Sequence, residues 1–370
     1  MTSKIAQPEA ISSQPLDTLA GSSASERWYA AFQPMHMLRN GHAQTLAGNF
    51  WRRAPFASSA TAEPVTVDPD GSRVLCHCHW QPEDVRSRRL TLLLVHGLEG
   101  SSNSRYMLGI TNLAWRAGCN VIRMNMRNCG GTESWTPTLY HSGMSSDVDA
   151  VLRFFVEREA LEQVAMIGYS MGGNLVLKHA GELAENAPQW LIGAVGVSPA
   201  MDLAASADAL HDPANRFYEW HFLRNLMKRF HRKAALFPER YRGLPRGPVR
   251  SVREFDDKIT APCSGFTGAD DYYYRASSAR VAKTIRVPTL VLHALDDPFI
   301  RILPETREAI QKNPAIRMIE TDHGGHCAFL ATKTSIDSDI AHGSRHWAEA
   351  IAVRYLLALR RRDEESALGS

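Results

Sequence analysis

From residue 90 onward, short apolar runs alternate with longer amphipathic stretches. The runs are Leu90–Val95, Asn120–Met126, Val164–Ile167, Leu191–Val197, Thr289–Leu295 and Ile316–Glu320, each flanked by Gly, Pro, Asn or Asp. Short segments this continuously apolar suit strands buried on both faces, and the amphipathic stretches suit crossover helices that return the chain across a parallel sheet. The alternation therefore predicts an α/β fold with a mostly parallel central sheet flanked by helices. Upstream, Val65–Val67 and Arg73–Trp80 flank Asp68-Pro69-Asp70-Gly71, a turn sequence that predicts an antiparallel hairpin at the sheet edge.

The rhythm stops after Asp202 and resumes after Ile285, and the residues between are rich in aromatics, Arg, Pro and Gly. This predicts an inserted cap region. Within it Phe217, Trp220, Leu223, Met227 and Phe230 recur at helical spacing beside Arg224, Lys228, Arg229, Arg232 and Lys233. The stripe reads as a cap helix packed over the sheet in preference to a membrane-surface helix. The expected organisation is a flexible tail over 1–25, core over 26–201, cap over 202–285, core again over 286–361 and a flexible tail over 362–370.

A chain of 370 residues with 44% hydrophobic and 22% charged residues can bury a sizeable core without staples. Its net charge of +3 gives no broad electrostatic footprint for nucleic acid. The six cysteines lack the paired spacing of a disulfide framework. Residues 1–25 lack the apolar stretch of a signal peptide, and no window approaches the roughly 18 apolar residues of a membrane span. The expectation is a cytoplasmic protein with no integral membrane segment, peripheral membrane contact staying open.

Gly168-Tyr169-Ser170-Met171-Gly172 directly follows the apolar run Val164–Ile167 and precedes the helix-like stretch Asn174–Ala184. This is the pattern of a nucleophile elbow, a strand-to-helix turn so tight that only Gly fits on either side while the serine stands exposed at its tip. A serine hydroxyl needs a base, and in folds built around this elbow the acid and the histidine follow the serine. Asp296-Asp297-Pro298 comes after Thr289–Leu295, where catalytic groups gather at strand C-termini. Asp297 is preferred over its close rival Asp296 because related folds carry the acid just before such a turn. Beyond Ile316–Glu320 lies Asp322-His323-Gly324-Gly325-His326-Cys327, and His326, with apolar sequence behind it, is better anchored than His323 to serve as base. The oxyanion donors are expected to be the backbone N–H groups of Leu98, in His96-Gly97-Leu98-Glu99-Gly100, and Met171, with His96 bracing the loop. Cys76-His77-Cys78-His79 alternates across a strand and cannot easily converge on one metal. Arg127-Asn128-Cys129-Gly130-Gly131 lacks the companions of a nucleotide site and reads as a structural loop.

Together these residues resemble the YheT-like branch of the α/β-hydrolases, related to the abhydrolase-domain esterases and lipases. Beyond the elbow the resemblance rests on Arg39-Asn40-Gly41-His42-Ala43-Gln44-Thr45-Leu46, His96 through Ser102, Arg127 with its Cys-Gly-Gly turn, Phe255-Asp256-Asp257, Gly265-Phe266, Asp271-Tyr272-Tyr273, Asp296 through Phe299, and Gly324-Gly325-His326. It covers about residues 35 to 355. It implies an α/β-hydrolase fold, a triad of Ser170, Asp297 and His326, and cleavage of small-molecule or lipid-like carboxylic esters through an acyl-enzyme. His42 carries no catalytic expectation, and neither metal nor organic cofactor is expected. The rival readings are acyl transfer by the same triad and a non-catalytic ligand binder. Cap aromatics point to an apolar acyl group, and for the aromatic Asp271–Tyr274 segment packing of cap against sheet is the more conservative reading beside a place in the acyl pocket.

Overall fold

The apolar runs form one eight-stranded sheet in the computed structural model, which describes residues 29–53, 56, 58–333 and 344–368. The strands are β1 (Thr61–Thr66), β2 (Arg73–His79), β3 (Thr91–Val95), β4 (Asn120–Met124), β5 (Val164–Tyr169), β6 (Leu191–Val197), β7 (Thr289–Ala294) and β8 (Ile316–Thr321). They lie in the order β1-β2-β4-β3-β5-β6-β7-β8. Strands β3 to β8 pair parallel, while β1–β2 and β2–β4 are antiparallel, which puts the hairpin at the edge as expected. Every residue of β3, β4, β5, β6 and β7 is buried, which is why these runs are mostly apolar and do not alternate, with Asn120 and Arg123 of β4 and His293 of β7 among the buried polar exceptions.

The numbered helices are α1 (Gly41–Phe50), α2 (Arg105–Arg116), α3 (Ser145–Glu159), α4 (Met171–Leu183), α5 (Leu203–His211), α6 (Arg216–Leu236), α7 (Ala269–Ala276), α8 (Pro304–Lys312) and α9 (Trp347–Leu368). Strand periodicity of two divides the core into two layers. Leu93 and Val95 pack with Phe155 of α3 and Val176 of α4, whereas Leu92 and Leu94 pack with Ile110 of α2 and Val353 of α9. Helix α9 runs to Leu368, past the expected end at 361. The expected tail over 1–25 lies outside the described residues. No helix among the described residues is long and apolar enough to cross a membrane.

Between β6 and β7 the chain is helical or irregular and builds a third apolar cluster, where Leu226, Phe230 and Phe255 meet Phe299 and Ile300 of the loop after β7. The aromatic stripe of α6 splits there. Phe230 is fully buried, but Phe217 is 63% and Trp220 56% exposed, so only the C-terminal part of the helix packs as the spacing predicts. The basic flank splits as well. Lys233 is fully buried and donates to the carbonyls of Glu133 and Thr136, and its burial lowers the ammonium pKa to about 8. The insertion rejoins the core before residue 285: Ala282 packs in the same layer as α4, and Thr284 Oγ1 donates to Gly181 O at 2.6 Å.

Candidate active site

The chain runs from β3 to β4 on one side and then crosses to β5 on the other, so the C-termini of β3 and β5 flank the switch point where open α/β sheets form their crevice. The turn out of β5 puts Ser170 at φ 54°, ψ −117°, a conformation L-residues avoid unless their surroundings impose it. The surroundings here are backbone. Ser170 N donates to Val197 O at 2.9 Å, and Ser170 O accepts from Asn174 N at 3.0 Å and Ala200 N at 3.2 Å. A Cβ on Gly168 would sit 2.1 Å from Gly172 O, and one on Gly172 would sit 2.4 Å from the carbonyl oxygens of both Val95 and His96. Both glycines are therefore required by the approach of main chain, as the elbow pattern predicts.

Asp297 and His326 meet above the ends of β7 and β8. Asp297 Oδ2 lies 2.8 Å from His326 Nδ1, and Oδ1 accepts from the N–H groups of Phe299 at 3.1 Å and Ile300 at 2.9 Å. Because the carboxylate only accepts, Nδ1 carries a proton and Nε2 is the nitrogen available for other work. Burial opposes ionisation of Asp297, but His326 outweighs it and holds the carboxyl below its ordinary range. Burial likewise opposes the imidazolium, while Cys327 and Asp297 favour it and raise His326 well above its ordinary value. The rival residues are used elsewhere. Asp296 accepts from Gly325 N at 2.8 Å and lies 3.5 Å from His323 Nδ1, bracing the loop that carries His326.

That loop is strained at Cys327 and Phe329, both at positive φ, while Gly325 takes positive φ without steric cost. It is pinned by His326 N donating to Thr45 Oγ1 at 2.8 Å and Cys327 N donating to Ser198 Oγ at 3.2 Å. Phe299 packs on the His326 ring with centroids 4.4 Å apart. His326 Nε2 has Cys327 Sγ at 3.7 Å, and among the described residues Ser170 Oγ forms no hydrogen bond. Both His326 and Ser170 nonetheless line one cavity. The bracing by Thr45 was not read from the sequence. Its only signal was that Thr45 lies in the Arg39–Leu46 stretch that carries the family resemblance.

The loop after β3 closes the site from the other side. His96 is fully buried, donates from Nδ1 to Gly97 O at 2.8 Å and accepts at Nε2 from Met126 N at 3.1 Å, and burial lowers its pKa to about 4. It is a neutral strut. Gly97 N donates to Tyr106 Oη at 2.9 Å and Glu99 N to Tyr140 Oη at 3.0 Å. Between them Leu98 N–H, like Met171 N–H at the start of α4, has no hydrogen-bond acceptor among the described residues. Glu99, at φ 56°, is held by Arg229 of α6, whose Nε and Nη2 reach its two carboxylate oxygens at 3.0 and 3.2 Å. Arg229 also donates to Asn128 O, so a residue of the expected basic flank ties the insertion to this loop.

The remaining candidates have structural partners. Cys76 and Cys78 point into the core, whereas His77 bonds Ser102 Oγ at 2.8 Å and His79 Nε2 accepts from Arg123 at 3.2 Å, so the four do not converge. Arg127 is paired with Asp147 at 2.7 Å and Asp68 at 3.1 Å. His42 stacks on Tyr218.

Two cavities meet at Ser170. The inner one, of about 110 Å³, lies under the insertion and is lined by Leu98, Met171, Leu226, Phe255, Tyr272 and Tyr273 among others. The outer one, of about 430 Å³, opens past Leu46, Phe50 and Phe217 and contains His326 and Cys327. Of the Asp271–Tyr274 segment, Tyr272 and Tyr273 line the inner cavity while Tyr274 is exposed.

Residues 91–331 match the family model described as the alpha/beta hydrolase fold. The putative esterase YheT of Escherichia coli is 32% identical over 81% of this chain and 87% of its own length. The chain belongs to the YheT-like α/β-hydrolases. Phospholipase ABHD3 of Mus musculus is 30% identical over 66% of this α/β-hydrolase and 59% of its own length. Among solved structures, the Pyrococcus furiosus esterase Pf2001 superposes with a TM-score of 0.53 at 16% identity, covering 84% of this chain and 96% of that one, a likeness of fold.

Proposed function

We propose that this α/β-hydrolase cleaves carboxylic esters through an acyl-enzyme on Ser170. Ser170 Oγ attacks the carbonyl carbon, His326 Nε2 takes its proton, and Asp297 holds the imidazolium that results. The N–H groups of Leu98 and Met171 bind the oxyanion. His326 then gives the proton to the leaving alcohol, and a water activated by the same imidazole releases the acid. The observation that carries this reading is the 2.8 Å Asp297–His326 pair in a loop that faces the same cavity as Ser170. The Nε2–Oγ hydrogen bond forms as substrate seats, since such contacts are often long in the free enzyme.

On this reading each cavity takes one half of the ester. His326 must reach the leaving oxygen and lines only the outer cavity, so the alcohol occupies that cavity and the acyl group the inner one, under the insertion acting as cap. Hydrolysis of p-nitrophenyl esters of increasing acyl length by the parent and by Ser170→Ala, together with mass spectrometry after an activated phosphonate, tests the reading. We expect a phosphonate adduct on Ser170 and a loss of at least about 10³-fold in kcat in the variant. Equal activity in the two proteins, or an adduct elsewhere, refutes it.

A further inference from the structure

The outer cavity opens through a ring of side chains that a water-facing surface would not be expected to gather. Leu46 and Phe50 of α1 are 43% and 75% exposed, and Phe217 and Trp220 of α6 are 63% and 56% exposed. Leu46, Phe50 and Phe217 line the opening itself, and the Trp220 ring lies 6.2 Å from that of Phe217. Single exposed apolar residues are ordinary, but a cluster drawn from two elements far apart in sequence and gathered around one cavity mouth marks a contact surface.

The charge on the same elements has one sign. Within residues 41–53 and 216–233 the only carboxylate is Glu219, which is buried and committed to Val252 N at 3.0 Å and His211 at 2.7 Å. Arg52, Arg216, Arg224 and Lys228 are exposed. Exposed Arg105 reaches Phe50 O at 3.4 Å, and the Arg224 guanidinium lies 5.6 Å from the centre of the Trp220 ring. Aromatics that enter the acyl boundary, flanked by cations at headgroup level, are what an anionic lipid surface attracts.

We propose that this rim docks the protein on an anionic lipid surface, with the mouth of the outer cavity facing the lipid. Docking itself does not depend on the ester-cleaving reading, and only its use in delivering lipid-like esters to Ser170 rests on that reading. A bilayer is favoured over a second protein copy because the exposed cations find complementary charge in anionic headgroups, whereas two copies would set like charges against each other.

Flotation of the full chain with phosphatidylcholine vesicles, with and without phosphatidylglycerol, tests the proposal. Binding is expected to the phosphatidylglycerol vesicles and to weaken as salt is raised. Trp220→Ser is expected to weaken partition about tenfold. Arg224→Glu with Lys228→Glu is expected to abolish the preference for anionic vesicles. These side chains are exposed and outside both cavities, so melting temperature and turnover of a soluble short-chain ester should match the parent. Absent binding, equal binding to both vesicle types, or unchanged binding by the variants overturns the proposal. So does a concentration-dependent dimer in sedimentation that Trp220→Ser dissociates, since a second copy would then cover the rim. Vesicle binding is read without turnover, so Ser170→Ala should float like the parent whether or not the catalytic reading survives.

Discussion

Asp297→Asn is the substitution for which the geometry gives the sharpest expectation. Asp297 Oδ1 accepts two backbone N–H groups, from Phe299 at 3.1 Å and Ile300 at 2.9 Å, while Oδ2 faces His326 Nδ1 at 2.8 Å. An asparagine must keep its carbonyl oxygen toward the two N–H donors, so its NH₂ group points at Nδ1. The imidazole then accepts at Nδ1 and carries its proton on Nε2, the tautomer that cannot deprotonate Ser170. Flipping the amide restores the ring but leaves two buried N–H donors unsatisfied, at about 1–3 kcal/mol each, which is roughly 2–6 kcal/mol or about 30- to 10⁴-fold in rate. Loss of the carboxylate that stabilises the imidazolium moves the expectation toward the upper end, on the order of 10³- to 10⁴-fold in kcat. Asp297 lines neither cavity at Ser170, so KM should change little. The assay is p-nitrophenyl ester hydrolysis on proteins matched by thermal melting, with Asp296→Asn as control. That variant keeps an acceptor for Gly325 N and should stay within a few-fold of the parent, an effect of about 0.5 kcal/mol. Asp297→Asn retaining a tenth or more of parental kcat, or Asp296→Asn losing as much as Asp297→Asn, would refute the reasoning.

On the proposed mechanism His326 acts as base only when neutral, and because it is held above its ordinary 6.5, kcat/KM should rise with pH to a midpoint above 6.5, and that midpoint should fall in Asp297→Asn. The same raised pKa means that the pair's contribution to folding is fully present below the unfolded-state value of 6.5 and is lost as pH rises through the folded value, which urea melts across that window should register. A methyl on Gly97 would lie 3.2 Å from Ser170 Cβ and 3.7 Å from its Oγ, so Gly97→Ala should fold with a loss of about 1 kcal/mol and a clear fall in kcat. By contrast Gly172→Ala, whose methyl meets two carbonyl oxygens at 2.4 Å, should not accumulate as folded protein, and soluble expression with circular dichroism separates the two. Arg229→Met strands Glu99 without its cation and should destabilise by about 3 kcal/mol while lowering kcat; a double-mutant cycle with Glu99→Gln should be strongly non-additive, and additivity would show that the pair does not hold the loop.

The sheet was legible in the sequence because each central strand is buried on both faces, so its run is mostly apolar, broken only by single buried polar residues such as Arg123 of β4 and His293 of β7, while its ends carry Gly, Pro, Asn or Asp. The elbow was legible for a different reason: Gly168 and Gly172 answer to backbone contacts a few residues away or across one strand pairing, and those leave a local pattern. The sequence favours Asp297 over Asp296 only by where related folds carry the acid, because both sit in the same turn and local pattern separates them no further. They differ in what each carboxylate meets about 29 residues later, Gly325 N for one and His326 Nδ1 for the other.

The insertion was hardest to read for a related reason. A helix of mixed aromatic and basic residues does not state which side chains turn inward, since that depends on what the facing loops offer. Lys233 is buried because the carbonyls of Glu133 and Thr136 are there to receive its ammonium, and Arg229 is drawn in by Glu99, partners about 100 or more residues away in sequence. Phe217 and Trp220, three residues apart on the same helix and equally apolar, meet no such partner among the described residues and are more than half exposed. A helical stripe thus reports what a face could bury, and only the contact across from it decides what is buried. On α6 the C-terminal part found the loop after β3 and closed over Ser170, while in the N-terminal part Tyr218 and Glu219 turn inward and the exposed Phe217 and Trp220 border the opening.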